Sequence, residues 1–372
     1  MNVQMVVYTE IIYAVAVTVC EIPSGILADK CGRKRLLAAY HALAAVELIL
    51  LVFAHCFLQF AVAILLAGIG KAMSSGSENA LLYDSLLETG RQGDFEKLRG
   101  RLSAIDFSGS VIAAISGSIL ASFFRFEMNY MVSIASMCIA FALTLSLQEP
   151  PMRTKPENER SGVTHYAKQA LCVFGKNPLV LVYCLTGSVL GACILYLDEF
   201  WQIISEQIGI PVLFFGAIGS LASMLRIPGT LFAYKLKAKH PYKRILTCII
   251  AISIVGYAAV FLFRSLFCLL PMMLLFTVAG IADPLVIGDL HHHTESHVRA
   301  TVESFSSLGL RVISAGVGLL FGYLSTKYSI FAGFLLLSAV CLGYLGIFVI
   351  YLNKYRKKQD QPKPSPASPT PD

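Results

Sequence analysis

The sequence predicts an all-α polytopic membrane protein, and three observations lead to this fold class. Apolar runs of about 20 residues recur along the chain, which is the length that an α-helix needs to cross a bilayer. Charged residues make up only 14% of the chain and its mean hydropathy is +0.68, whereas soluble proteins carry about 25% charged residues. Lysine and arginine are also concentrated in alternate loops. Because backbone groups in lipid must be satisfied within their own segment, each run is predicted to be a helix.

The apolar runs predict eleven spans. Five precede a polar central cytoplasmic loop over residues 151–177 and six follow it, which gives an N-terminal half over 1–150 and a C-terminal half over 178–353. Residues 354–372 are polar and proline-rich, and are predicted to form a disordered tail. The predicted spans are 6–28, 36–55, 57–88, 101–123, 129–147, 178–203, 211–234, 242–263, 267–290, 298–323 and 329–353.

The distribution of basic residues predicts the orientation of the chain. If Met1 lies outside, 24 of the 30 Lys and Arg residues fall in cytoplasmic loops or the tail, and three fall in outer loops. Positive charge is enriched on the cytoplasmic side of membrane proteins. We therefore expect a multi-pass protein of the cell membrane with Asp372 in the cytoplasm. The same asymmetry explains the net charge of +7, so no nucleic-acid partner is expected.

Two short matches indicate an internal repeat. EIPSGILADK at 21–30 aligns with RIPGTLFAYK at 226–235, and RLSAIDFS at 101–108 aligns with RATVESFS at 299–306. Both matches join helices that run in the same direction, which is typical of two pseudo-symmetric helical bundles. Since the first half has five spans and the second has six, we expect a further helix upstream of Met1. A start site assigned too late and a true loss would both produce this sequence.

The loop after the first span carries the residues that point to a family. Residues 25–35 read GILADKCGRKR and match the pattern G-x-L-x-D-R/K-x-G-R-R/K at every defined position, so the chain resembles the major facilitator superfamily. Residues 75–86, SGSENALLYDSL, are similar to a segment of a drug-efflux-like branch. The resemblance implies a twelve-helix transporter fold with a central solute cavity. Two departures weaken proton-driven export: Ile64 replaces an arginine linked to proton coupling, and Ala113–Ser118 lacks the proline of antiporters.

The signature loop is predicted to act as a conformational gate. Gly25 would let another helix approach closely, and Asp29 would place a carboxylate where it reaches the positive N-terminus of another helix. Gly32 would permit a tight turn, while Arg33 and Lys34 would hold the loop in the cytoplasm. The alternative is a basic loop that contains Asp and Gly by chance, and the complete match argues against it.

Charged residues inside the spans are the next candidates, because charge is costly in a membrane. Asp84 and Arg101 would pair either as a cytoplasmic gate or as a static tie between helices. Asp106 would join the same network. Glu78 lies on the same span as Asp84, about two turns earlier, and is a candidate for the cavity or for ion coupling.

Four further candidates lie deeper in the membrane or near the outer face. Arg311 is about twelve residues into its span, close to the midplane at 1.5 Å per residue. We expect it to neutralise Asp283 on the preceding span, with binding of an anionic substrate group as the alternative. Trp201 and Gln202 lie near the outer face, where the only tryptophan is expected to anchor the helix and would alternatively stack on substrate.

The predicted function is secondary transport of small organic solutes by alternating access. Export is the expected direction, and antiport with protons is one way in which it could be driven. A truncated membrane paralogue or scaffold that no longer transports is the alternative from another class. No nucleophile–base pair or metal-ligand spacing is evident in the sequence, so no enzyme activity, cofactor or metal is expected. The expected partners are the lipid bilayer, a small organic substrate and protons or another ion, and we expect a monomer.

Overall fold

The computed structural model describes residues 2–75, 77–91, 94–149, 178–292 and 299–359. Within these ranges the chain is helical and has no strand. The α-helices are α1 (Val3–Cys31), α2 (Arg33–Val52), α3 (Phe57–Ser75), α4 (Ser77–Glu88), α5 (Phe95–Phe123), α6 (Glu127–Ser146), α7 (Pro178–Gln207), α8 (Phe215–Lys239), α9 (Tyr242–Leu262), α10 (Leu269–His292), α11 (Arg299–Lys327) and α12 (Ile330–Gln359).

The predicted all-α membrane fold is confirmed, with corrections at two elements. Ten helices in the described ranges are long and apolar enough to cross a membrane, and the apolar part of α5 is the shorter segment Ser108–Phe123. The predicted span over 57–88 is helical on both sides of residue 76, which lies outside the described residues, over Phe57–Ser75 and Ser77–Glu88. The predicted tail is wrong at its start, because α12 continues through Gln359. The central loop over 151–177 lies outside the described residues.

The internal repeat corresponds to a repeated packing arrangement. In the first half α1 packs against α3 and α2 against α6, and in the second half α8 packs against α10 and α9 against α12. The two Ile-Pro motifs fall at equivalent places in this arrangement, within α1 at Pro23 and within α8 at Pro228. A proline inside a helix removes one backbone hydrogen bond and bends the helix. The matched sequences therefore bend matched helices.

Glycine residues allow both helix pairs to come into backbone contact. A Cβ atom at Gly68 of α3 would lie 2.7 Å from the Ala16 Cβ and 3.0 Å from the Tyr13 carbonyl oxygen of α1. A Cβ atom at Gly280 of α10 would lie 2.7 Å from the Arg226 Cα of α8. Small residues are the usual means of close helix packing in membranes, so each half contains one closely packed helix pair.

The main cluster of buried apolar side chains lies in the second half and includes Val7 of α1. At its centre the ring of Phe321 lies 5.1 Å from the rings of both Tyr196 and Phe200. Between the halves, α1 contacts α11 and α5 contacts α8. These two contacts between the halves position the candidate site.

Candidate functional site

The first contact between the halves runs along α1 and α11. The Gln4 backbone N–H donates to the Thr326 Oγ1 at 3.1 Å. A Cβ atom at Gly322 would lie 3.0 Å from the Gln4 Cα, and one at Gly318 would lie 3.1 Å from the Val7 Cγ1. The two helices are therefore in close contact where α1 begins and α11 ends.

The second contact joins α5 to α8 at the same end of the molecule. Gly216, at the start of α8, lies directly against Ser118 and Ala114 of α5, and a Cβ atom there would be 2.8 Å from the Ile115 Cα. We call this end, where α1 and α8 begin, the closed end. Both contacts depend on the absence of a side chain at the approaching residue.

The opposite end carries the signature loop, and among the described residues there is open space beside Gly25. No described atom lies within 4 Å of a Cβ atom placed at Gly25, and its neighbours Ile26 and Leu27 are 41% and 45% exposed. The predicted close approach of another helix at Gly25 is therefore not seen among the described residues, and it stays a prediction. We call this the open end.

The signature loop is held by two carboxylates of its own half. Gly32 connects α1 to α2 with φ of 97°, as the predicted tight turn requires. Arg33 forms an ion pair with Asp84 of α4. The Lys34 backbone N–H donates to the Glu149 Oε1 at 3.2 Å, and a Cβ atom at Gly32 would lie 2.5 Å from that oxygen. Gly32 precedes α2 and has no side chain that could cap it. The Glu149 carboxylate instead supplies a negative charge at the N-terminus of α2, where such a charge is favourable.

Several predictions for this end need correction. The prediction that Asp84 pairs with Arg101 is wrong, because Asp84 forms its ion pair with Arg33 and Arg101 is exposed. Glu78 and Asp106 are also exposed, and no ion pair within the described residues joins Asp106 to Arg101. The side chain of Asp29 lies outside the described residues. Sequence reasoning missed Glu149, although an acidic residue directly before the Pro-Pro of the central loop was a usable signal.

Arg311 links the two halves. Its Nη1 donates to the Thr18 Oγ1 of α1 at 3.1 Å, and its Nη2 lies 3.7 Å from the Glu21 Oε2. The predicted pair with Asp283 is wrong, since no ion pair joins these two described side chains. The reason is the rotation of α11, which turns Arg311 toward α1, whereas Asp283 of α10 lines a cavity on another side of α11.

This cavity has a volume of about 340 Å³ and lies between α7, α10 and α11. Asp283 is the charged side chain among its described lining residues, and Ser188 lies about 15 Å along α7 from its first residue, at 1.5 Å per residue. The Ser188 Oγ donates to the Ser306 carbonyl oxygen at 3.3 Å. The other lining residues are Gly187, Leu190, Gly191, Ile194, Ala282, Val286, Ser307 and Leu310. Ligand sites have this character: apolar walls with a few polar groups.

The helix that carries Asp283 contains a proline at the next residue. Pro284 lies inside α10 and has no N–H to donate to the carbonyl four residues earlier, which belongs to Gly280. The Thr230 Oγ1 of α8 donates to that Gly280 oxygen at 3.1 Å. The cavity therefore lies beside an interrupted helix whose freed carbonyl is satisfied by a neighbour, as membrane helices with internal proline require.

Trp201 is part of the packed interior of the second half. It is 9% exposed, its ring lies 5.7 Å from the Phe215 ring, and its indole lies 3.4 Å from the place where Gly219 would carry a Cβ. Gly219 leaves room for the indole, and the two predicted roles of Trp201, as an interfacial anchor and as a residue that stacks on substrate, stay predictions. Gln202 is exposed, and its place in the cavity stays a prediction.

Sequence reasoning also missed the ion pair between Arg226 and Asp198. The Arg226 Nη2 lies 2.5 Å from the Asp198 Oδ1 of α7, and the guanidinium lies 5.0 Å above the centroid of the Phe276 ring. Arg226 entered the sequence analysis only as part of the repeat. A carboxylate and a guanidinium within two apolar spans of the same half were the available signal, because charges in membranes pair with one another.

Comparisons with known proteins identify the family. The model of the Major Facilitator Superfamily matches residues 4–318. Similar solved structures include a mutant of the nucleoside transporter NupG, with a TM-score of 0.80 and 17% identity over 94% of this chain and 91% of that one. The POT family transporter PepTSo has a TM-score of 0.69 and 13% identity, covering 95% and 89%. A bacterial homologue of the human lysosomal transporter Spinster, inward-facing and unoccupied, has a TM-score of 0.64 and 15% identity, covering 98% of both chains. The sequence matches no curated protein.

Proposed function

Because the chain belongs to the major facilitator superfamily, we propose that it moves a small organic solute across the membrane by alternating access. The observation that supports this most directly is the unequal contact between its halves. They touch through glycine residues at the closed end, while no described atom lies within 4 Å of a Cβ placed at Gly25 at the open end. A second conformation with the opposite pattern would expose a site between the halves to the other side of the membrane.

The interchange requires that neither conformation be strongly favoured. At the closed end the contacts at Gly318, Gly322 and Gly216 would separate as the halves rock. At the open end Gly25 would receive a helix from the other half, and Asp29 would reach the positive end of that helix. A carrier works with two states a few kcal/mol apart or less, so each set of contacts must be individually weak.

The link between Arg311 and Glu21 has the properties of such a weak contact. The two charged groups are 3.7 Å apart, and their side chains are 26% and 54% exposed. Exposed ion pairs contribute about 0–1 kcal/mol, so this one can form and break in each cycle. It joins the halves near the middle of α1 and would shift the balance between the two states by a few-fold.

The contacts of the signature loop have the opposite role. Arg33 with Asp84, and Lys34 with Glu149, both lie within the first half. They would keep the loop in place while the halves move, so that Gly25 and Asp29 meet the other half in a fixed geometry. Arg101 and Asp106 are proposed to contribute to this end only through their charge.

Direction, coupling and assembly are further parts of the proposal. We infer export from the similarity of residues 75–86 to a drug-efflux-like branch, and we keep protons as one coupling ion, with Glu78 as a candidate for their binding. We also propose a monomer in the cell membrane, with Met1 outside and the C-terminus cytoplasmic.

Transport by the purified chain in proteoliposomes tests the proposed function. The panel should contain organic amines, nucleosides, sugars and organic anions, with imposed proton and sodium gradients in both directions. We expect saturable uptake of at least one class, and uptake lost in Gly25→Leu. Gly343→Leu is the matched control, because no described atom lies within 4 Å of a Cβ at Gly343 either, and α12 packs mainly against α7, α9 and α11 of its own half. Absence of uptake for every class would favour the non-transporting alternative.

A further inference from the structure

The cavity beside Asp283 carries a negative charge for which the described residues provide no counter-charge. We propose that it binds the ammonium group of a small organic amine, with the Asp283 carboxylate as its anionic partner. This inference rests on the proposed function and goes beyond it by naming the chemical class of the solute.

The first step is the pairing of charges in the described spans. Arg311 lies against Glu21 and Thr18, and Arg226 lies against Asp198. No cationic side chain in the described ranges lies within ion-pair distance of Asp283. Ionisable groups within a membrane pair with each other or line water-filled cavities. The deep arginines are thus engaged, and Asp283 remains available.

The second step is what happens when the halves close. Asp283 is exposed in the present conformation, so water can solvate its carboxylate. Movement of the first half over this cavity would remove that water, and an isolated carboxylate in a dry site is strongly disfavoured. A solute that brings a positive charge would satisfy the carboxylate at that stage. Closure would then favour the loaded carrier over the empty one.

The third step is the shape and polarity of the cavity. Its volume of about 340 Å³ falls within the range of sites for small organic ligands. Leu190, Ile194 and Val286 supply an apolar wall for a carbon skeleton, while Ser188 and Ser307 supply hydroxyl groups. One carboxylate on an otherwise apolar wall fits an amine with a hydrocarbon body better than it fits an anion.

The fourth step connects the cavity to the contact between the halves. Leu310 lines the cavity, and the next residue of α11 is Arg311, which contacts α1. An occupant that touches Leu310 therefore lies one residue from the link between the halves. Binding at Asp283 can in this way bias the contact that must break during transport.

The test compares three probes that share one skeleton: phenethylammonium, 2-phenylethanol and phenylacetate. Binding to the purified full chain is measured at pH 7, where they are cationic, neutral and anionic. We expect phenethylammonium to bind at least about tenfold tighter than 2-phenylethanol, a difference of about 1.4 kcal/mol. Asp283→Asn should abolish that difference, and Asp283→Glu should retain part of it. The control is Glu206→Gln, which neutralises an exposed carboxylate of α7 far from the cavity and should leave the preference unchanged.

Several results would overturn the inference and are distinguishable from failure of transport. If the wild-type protein takes up another solute but shows no preference for the ammonium probe, the proposed transport function stands and the proposed amine substrate is rejected. A preference for phenylacetate that Arg311→Ala abolishes would assign an anionic substrate to Arg311 instead. Unchanged amine binding in Asp283→Asn, with loss of the response to an imposed proton gradient, would make Asp283 a proton site. Absence of any bound or transported solute would remove both proposals.

Discussion

The two copies of the Ile-Pro repeat place a charged residue at the same position but give it different partners. Glu21 of α1 faces Arg311 of the other half at 3.7 Å, whereas Arg226 of α8 faces Asp198 of its own half at 2.5 Å. The first copy thus belongs to a contact that must change during transport, and the second belongs to a fixed bundle. The repeated sequence therefore predicts a repeated fold. The functional role of each charged residue depends on which neighbouring side chain it contacts.

The largest expected effect is on the amount of folded protein, and it distinguishes a glycine in a fixed helix contact from one in a contact that changes during transport. Gly280→Leu should reduce the amount of folded protein severely, because its side chain would overlap the backbone of Arg226 in α8. Overpacking typically costs about 1–3 kcal/mol, and a contact with backbone cannot relax by a change of rotamer. Gly25→Leu should give normal amounts, since the space beside it is open. Size-exclusion profiles and yields in detergent check both, and equal losses for the two variants would show that Gly25 is packed in the dominant state.

A smaller effect is expected for the fixed ion pair. Arg226→Ala and Asp198→Ala should each lower stability by about 1–2 kcal/mol, in the range of polar contacts between membrane helices. The double variant should lose less than the sum of the two, because each single change leaves one charge without its partner. Thermal unfolding in detergent measures this cycle. Additive losses would mean that the two groups are solvated independently.

The smallest expected effect on stability belongs to the moving ion pair. Glu21→Gln should change the unfolding free energy by less than about 1 kcal/mol, as for an exposed pair. It should instead shift the ratio of the two transport states by a few-fold. Labelling of a single cysteine placed at Gly25, on a background without other reactive thiols, reports this ratio. A large loss of stability with unchanged labelling would assign Glu21 to the fixed bundle.

The sequence predicts the fold well because hydrophobic length and charge asymmetry are properties of single segments. The turn at Gly32 follows in the same way from the signature loop. The partners of charged residues were less predictable, since they depend on how each helix is rotated about its axis. Residue counting correctly places Arg311 near the middle of α11, yet its side chain faces α1 rather than Asp283. Trp201 is buried because Gly219 lies opposite, and the capping of α2 by Glu149 joins residues more than 100 positions apart.

The central claim is that the two ends of the α1–α11 contact open and close in opposite senses. Spin labels at Met5 and Tyr323 report the closed end, and labels at Ile26 and Leu308 report the open end. All four side chains are between 37% and 47% exposed, so labels should be tolerated. Pulsed electron paramagnetic resonance should show that a transported solute lengthens the Met5–Tyr323 distance and shortens the Ile26–Leu308 distance. Changes of the same sign at both ends, or unchanged distances with a solute that is demonstrably transported, would contradict alternating access.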